Sequence, residues 1–153
     1  MGGKMRLRNT LFILWLAILS ACGSQPSSPE AQIKAVIAQM EAAAEQRKRR
    51  DLSEHISDSY SDQHGDKNAL NNIFRAYLFR NQSINIFTVI HSMQAVSAQE
   101  YRVELSAFMA AKGADVESEA GRLKADRHRF SVTFVDESAG AGEWKVRSAQ
   151  WKR

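Results

Sequence analysis

Residues 101–109 of the chain read YRVELSAFM, and this stretch decides the fold class. Its apolar members alternate with polar ones: Tyr101, Val103, Leu105, Ala107 and Met109 with Arg102, Glu104 and Ser106. A period of two is typical of a β-strand that turns one face to a core and the other to water. The stretch therefore predicts a half-buried strand.

Similar segments lie on both sides of this strand. Residues 84–93 are rich in β-branched and aromatic side chains, and Phe130, Val132 and Phe134 alternate with polar neighbours. Residues 138–142 read SAGAG, a turn composition, and a last strand is expected to start at Trp144. Alternation predicts that Trp144 and Val146 face inward. The sequence thus predicts an antiparallel sheet of about four strands.

Three helices are predicted before the strands. Ser28, Pro29 and Glu30 form a helix start, and the helix is expected to run to about Arg49. Asp51 is expected to cap a short helix over residues 52–57, and a third helix is predicted over residues 67–80. Helices followed by hairpin-linked strands indicate an α+β domain with an antiparallel sheet.

The first residues of the chain are predicted to form a leader. Lys4, Arg6 and Arg8 precede an apolar run over residues 11–19, which is too short for a bilayer span. The run ends in Leu-Ser-Ala-Cys at residues 19–22, which resembles the lipobox of bacterial lipoproteins. Cys22 is also the only cysteine, so a disulfide within the chain is excluded.

The lipobox resemblance implies that residues 1–21 are removed and that Cys22 carries the lipid anchor. Residues 22–28 then form a short tether, and residues 29–153 form a single domain. Gly23 stands where the family has Asp in lipoproteins kept at the inner membrane. The resemblance therefore implies the periplasmic face of the outer membrane of a Gram-negative cell. The membrane, reached through Cys22, is the first expected partner.

The charge of the chain gives no reason to expect nucleic acid as a partner. The whole sequence has 21 Lys and Arg against 17 Asp and Glu, but three of the cations belong to the leader. The mature balance is 18 against 17, a net charge of +1. Nucleic-acid binding needs a clustered cationic surface, which this composition does not predict.

The order of elements resembles the nuclear transport factor 2-like superfamily, whose cone-shaped fold includes isomerases, cyclases and non-catalytic proteins. The resemblance covers about Glu30 to Lys152. It is carried by the opening amphipathic helix, the Asp51-Leu52 step, the Tyr60 turn, the helix ending in Tyr77-Leu78, and residues 143–146 of the closing hairpin. It implies three helices packed on a curved antiparallel sheet, with a pocket between them.

The resemblance also implies which residues line that pocket. The candidates share an apolar stripe on a helix or strand: Ile33, Val36, Ile37, Met40, Phe74, Tyr77 and Tyr101. In the isomerases a catalytic tyrosine projects from the first helix, whereas the stripe here has no hydrogen-bond donor. We expect an apolar interior with no carboxylate in hydrogen-bond reach of Tyr77, Tyr101 or His91.

No residue is assigned as catalytic, and the weak candidates are His91, Asp126 and Tyr77. Asp126 and His128 stand in a run of alternating charges, which is typical of a solvated face. The turn with Asp62 and His64 lacks the ligand spacing of a calcium or zinc site. We therefore assign no metal and no cofactor.

Three classes of function follow, and the third is a dedicated subunit of an envelope assembly. The first is a lipid-anchored, non-catalytic envelope domain that binds a small apolar ligand or a partner protein, with a homodimer through the sheet face as one form. The alternative is a small cone-fold enzyme that performs acid–base chemistry of the isomerase or dehydratase kind on a hydrophobic substrate. An enzyme needs titratable groups that converge in a pocket, and this feature discriminates the enzyme from the other two classes.

Overall fold

The structure is a computed structural model that describes residues 28–81, 83–111 and 126–152. The predicted leader, Cys22 and the tether up to Ser27 lie outside these residues. Within them, no helix combines the length and apolar character needed to cross a bilayer.

The described chain forms three helices followed by a four-stranded sheet. The elements in chain order are α1 (Pro29–Glu45), α2 (Arg49–Glu54), β1 (Ser61–Asp62), β2 (Gly65–Asp66), α3 (Lys67–Arg80), β3 (Ile84–Ser97), β4 (Glu100–Ala111), β5 (Asp126–Asp136) and β6 (Trp144–Lys152). The sheet order is β3-β4-β5-β6 and every pair is antiparallel. This confirms the α+β class, and β1 and β2 form a separate small hairpin.

Side-chain caps fix the starts of the two long helices. Ser28 accepts a hydrogen bond from the backbone N–H of Ala31 at 3.2 Å, with Pro29 in the first helical position. Asp66 accepts one from Ala69 N–H at 2.9 Å. Both predicted starts are confirmed, and α3 occupies the predicted residues 67–80.

The boundary between the first two helices differs from the prediction. Arg47 has a φ of 60°, and the N–H groups of Arg47 and Lys48 bond the carbonyls of Ala44 and Ala43. This left-handed turn ends α1 at Glu45 and lets α2 start at Arg49. The prediction that Asp51 caps the second helix is wrong, because Asp51 lies inside α2.

The main core fills the end of the cone where α1 begins. Ile33, Val103 and Phe134 are at most 1% exposed. Trp144 and Val146 are buried, so the inward register predicted for β6 is confirmed. Bulges in β3 after Ile90 and after Ala95 interrupt its pairing with β4, as expected where a strand bends.

Candidate functional site

A cavity of about 380 Å³ lies between the helices and the inner face of the sheet. Its volume falls in the range of small-molecule pockets. Most of its wall is apolar, and every described helix contributes. The apolar lining residues are Ile37, Met40, Ala44, Leu52, Ile56, Leu70, Ile73, Phe74, Leu78, Ile86, Leu105, Ala107, Met109, Phe130, Val132, Phe134, Val146, Ala149 and Trp151.

Strand alternation explains why these side chains share a wall. Leu105, Ala107 and Met109 point to the same face of β4, and their partners on β3 and β5 point the same way. Ala107 pairs with both Thr88 and His128. The small side chain of Ala107 leaves space between two polar neighbours.

The cavity opens between α3 and the start of β5. Ile73 and Tyr77 line the cavity and are 40% and 37% exposed, in contrast to the buried residues at its far end. Asp126, also a lining residue, is exposed. A ligand can therefore reach the cavity from solvent along this side of the described chain.

Five lining residues are polar: Glu41, Tyr77, Thr88, Asp126 and His128. Glu41 lies one turn after Ile37 on α1 and accepts a hydrogen bond from Thr88 Oγ1 at 2.5 Å. This bond ties the middle of α1 to β3. It also places one carboxylate on the cavity wall.

Tyr77 and Asp126 lie close to each other at the opening. The Tyr77 hydroxyl donates to Met109 Sδ at 3.2 Å, and Met109 pairs with Asp126 across the strands. Burial and the negative charge of Asp126 raise the pKa of Tyr77. The hydroxyl therefore stays protonated at neutral pH and can act as a donor.

His128 follows Asp126 by two residues, so both side chains lie on the inner face of β5. Its ring centroid is 6.3 Å from that of Phe130, which belongs to the apolar wall. At the other edge of the sheet, the ring of His64 stacks on Trp151 with centroids 4.5 Å apart. Trp151 in turn lies against Phe130, with ring centroids 6.1 Å apart.

The predicted pocket residues fall into two groups. Ile37, Met40, Phe74 and Tyr77 line the cavity, whereas Ile33, Val36 and Tyr101 belong to or pack on the filled core. The second group lies nearer the start of α1, where side chains close the interior. Tyr101 donates to Glu30 Oε1 at 2.8 Å, so the expectation that no carboxylate reaches Tyr101 is wrong.

The three weak catalytic candidates do not lie together. Asp126 and Tyr77 line the cavity, but His91 does not. His91 lies at the bulge after Ile90 with Nε2 2.8 Å from Ser106 Oγ. Ser106 points to the opposite face from Leu105 and Ala107, so His91 lies outside the cone.

Sequence reasoning missed Glu41, Thr88 and His128 as cavity residues. Two of them left a signal in the sequence. Glu41 keeps helical spacing with Ile37 and Ala44, and His128 has the same parity as Phe130 and Val132. Both signals place the side chain on the inner face. Thr88 lies on β3, far from Glu41 in the sequence. The local sequence pattern therefore does not predict the hydrogen bond between them.

The carboxylates of the polar turn before α3 bond neighbouring residues. Asp62 accepts hydrogen bonds from the N–H groups of His64 and Gly65 at 2.6 and 3.0 Å, and from the Tyr60 hydroxyl at 2.7 Å. Over residues 28–81, 83–111 and 126–152, no three metal-ligating side chains cluster. These bonds explain the composition of the turn.

Solved structures with this architecture were found, although their sequences differ widely from this one. A domain of unknown function from Nostoc punctiforme, described as having a cystatin-like fold, is 9% identical with a TM-score of 0.65 and covers 84% of this chain and 79% of that chain. The chain has the nuclear transport factor 2-like cone fold. A nuclear transport factor 2-like protein of unknown function from Shewanella oneidensis is 9% identical, with a TM-score of 0.61, over 82% of this chain and 100% of that chain.

A provisionally named scytalone dehydratase from Novosphingobium aromaticivorans is 12% identical, with a TM-score of 0.57, over 79% of this chain and 80% of that chain. Identities this low show a shared fold alone. No protein-family model matches the sequence, and no curated protein matches it.

Proposed function

We propose that the chain is a lipid-anchored, non-catalytic binding domain of the bacterial envelope that holds a small apolar ligand in its cone. The cavity between the helices and the sheet carries this proposal, because it has the volume of a small-molecule pocket, is open between α3 and the start of β5 and is apolar over most of its wall. A folded protein that needed the volume only for stability would fill it, since an empty apolar cavity costs free energy. The lipobox at Cys22 supports the envelope location.

The experiment uses a small apolar aryl diazirine that labels its binding site on illumination. The full chain in its own membranes is labelled, and mass spectrometry locates the modified peptides. We expect label on the wall around Leu105 and Phe130, which saturates with probe concentration. Ala107→Leu extends a side chain into the cavity and should reduce this label at least tenfold.

Ala95→Leu is the matched control, because Ala95 is exposed on β3 and lies outside the cavity. It should label like the wild type. Ile73→Trp, at the half-exposed opening, is a second way to obstruct entry if Ala107→Leu unfolds. Equal labelling of the wild type and both cavity variants would exclude a ligand in the cone.

A second candidate is a small acid–base enzyme, favoured by the positions of Asp126 and His128 on the inner face of β5, with Tyr77 close to Asp126 at the opening. The imidazole and the carboxylate provide a base, and the protonated Tyr77 provides a donor for a carbonyl oxygen. The provisionally named dehydratase with this fold is a reason to test the idea.

Deuterium exchange beside the carbonyl of a small cyclic ketone measures such chemistry by NMR. Enzyme-dependent exchange that His128→Gln abolishes would favour the enzyme. Exchange at the buffer rate, with the ketone still bound, would leave binding as the function.

A further inference from the structure

We infer that the cavity selects amphiphiles whose polar end is a cation or a hydrogen-bond donor, such as a primary amine, over anionic molecules of the same length. This inference rests on the proposed function and names the ligand class for the same cavity. It follows from the signs and positions of the charges on the wall.

The fixed charges on the described cavity wall are negative. Glu41 and Asp126 line the cavity, and no Lys or Arg side chain is among its described lining residues. The remaining titratable groups are the Tyr77 hydroxyl and the His128 imidazole. Among the described lining residues, an anionic head would meet two carboxylates and no Lys or Arg side chain, which is unfavourable in a partly desolvated setting.

The two carboxylates stand on opposite sides of one space. Thr88, Ala107 and His128 form one row across the sheet, and Ile86, Met109 and Asp126 form the next row. Adjacent strands lie about 4.8 Å apart, so backbone positions on β3 and β5 are about 10 Å apart. Glu41 is fixed over the β3 side by Thr88, and Asp126 lies on the β5 side. A head group between them can approach both.

The apolar wall places the rest of the ligand. Leu105, Phe130 and Phe134 lie farther along the strands from the opening than Ala107 and Asp126. The exposed position of Asp126 leaves the polar end near solvent, where a head group keeps part of its hydration. A ligand therefore has the lowest desolvation cost when its apolar tail lies inside the cavity and its polar head lies at the opening.

The experiment adds competitors to the diazirine labelling of the full chain in its membranes. Hexylamine, hexanol and hexanoate have the same chain and differ in the head. We expect hexylamine to suppress cavity labelling at a concentration at least tenfold lower than hexanoate, with hexanol in between. The short alkyl chains limit partition of the competitors into the lipid. The labelling of other lipid-facing proteins in the same membranes measures the partition that still occurs, and the competition data are corrected for it.

The double variant Glu41→Gln with Asp126→Asn tests the cause. Gln still accepts a hydrogen bond from Thr88, so labelling of the cavity should persist. The concentrations at which the three competitors suppress labelling should then agree within about twofold. Glu54→Gln combined with Asp51→Asn is the charge-matched control, because both residues are exposed on α2 and lie outside the cavity. It should keep the full preference.

Three results would overturn the inference. Hexanoate that competes as well as hexylamine would contradict the ligand class while leaving cavity binding intact. An amine preference unchanged in the double variant would remove the role of the two carboxylates. Absence of any saturable cavity label in the wild type would contradict the proposed function as well.

Discussion

The indole Nε1 of Trp144 donates a hydrogen bond to Gln32 Oε1 at 2.8 Å, which joins the last strand to the first helix. The two residues are distant in sequence, and the bond lies beside the edge-to-face contact of Trp144 with Tyr101, whose ring centroids are 5.4 Å apart. The Tyr101 hydroxyl in turn bonds Glu30 on the same helix. The filled end of the cone is thus closed by side chains from α1, β4 and β6.

Trp144→Ala should lower the free energy of unfolding by about 3–5 kcal/mol, because it removes a large side chain that is 3% exposed. Trp144→Phe keeps most of the packing but loses the hydrogen bond to Gln32. We therefore expect it to lower the free energy of unfolding by about 1–2 kcal/mol. Urea unfolding measures both. A Trp144→Ala change within about 0.5 kcal/mol of the wild type would contradict a buried Trp144.

Gly142 and Gly140 provide a matched pair in the β5–β6 turn. Both have positive φ, of 89° and 110°, so alanine is strained at either position. A Cβ at Gly142 would lie 2.5 Å from Gln32 Oε1, whereas a Cβ at Gly140 has open space. Gly140→Ala should cost about 1 kcal/mol, and Gly142→Ala about 1–3 kcal/mol more.

Gln32→Ala in the Gly142→Ala background identifies the source of the extra cost. Gln32→Ala also removes the acceptor of the Trp144 bond, so it is made in the Gly140→Ala background as well. The two double variants should then differ in the free energy of unfolding by much less than the two glycine variants. Equal destabilisation by Gly142→Ala and Gly140→Ala would show that the contact with Gln32 is not tight.

Acid should weaken the tie between the β5–β6 turn and the segment after α2. Glu137 accepts hydrogen bonds from Ser57 and Lys145, which hold its pKa below the ordinary value of 4.5. A lowered pKa favours folding when the carboxyl is ionised, so the contribution is present above about pH 4.5 and is lost as pH falls through the folded pKa.

Glu137→Gln should therefore lower the free energy of unfolding by about 1 kcal/mol at pH 7. Below pH 4.5 the free energies of unfolding of the variant and the wild type should become more similar. Urea unfolding between pH 7 and 3 measures the trend. Glu54→Gln, at a surface ion pair with Arg50, should change little at any pH. If the free energies of unfolding of the wild type and Glu137→Gln differed by the same amount at every pH, the predicted role of ionised Glu137 would be refuted.

The anchor prediction concerns Cys22. Cys22→Ser should leave the precursor unprocessed or move the protein out of its native membrane fraction, because the thiol is the group that carries the lipid. Fatty-acid labelling and fractionation measure this. Labelling that persists in Cys22→Ser would overturn the lipobox interpretation.

Elements governed by local signals could be predicted from the sequence. The bounds of α3 follow from the Asp66 cap and helical spacing, and the inward register of β6 follows from alternation at Trp144 and Val146. The junction near Arg47 was misplaced because a left-handed residue other than glycine ends α1. Tertiary packing selects such a turn, and an arginine in the sequence does not predict a left-handed conformation.

The cavity was only partly predictable. Strand parity placed Leu105 and Ala107 inside, and the same parity applied to β5 would have placed Asp126 and His128 beside them. The run of charges there was interpreted as a solvated face. The bond between Glu41 and Thr88 depends on how α1 crosses β3, which no local pattern encodes. Tertiary packing therefore decided the polar part of the site.

The most direct test of the cavity claim uses the different positions of two tryptophans. Trp151 lies on the cavity wall, whereas Trp144 lies in the filled core. In a Trp15→Phe background, fluorescence quenching by 1-bromohexane is measured with either Trp144→Phe or Trp151→Phe added. Bromine quenches by contact, so it reports a bound ligand at the wall. We predict saturable quenching when Trp151 remains and little when only Trp144 remains. Equal, non-saturating quenching of the two tryptophans would contradict a ligand site in the cone.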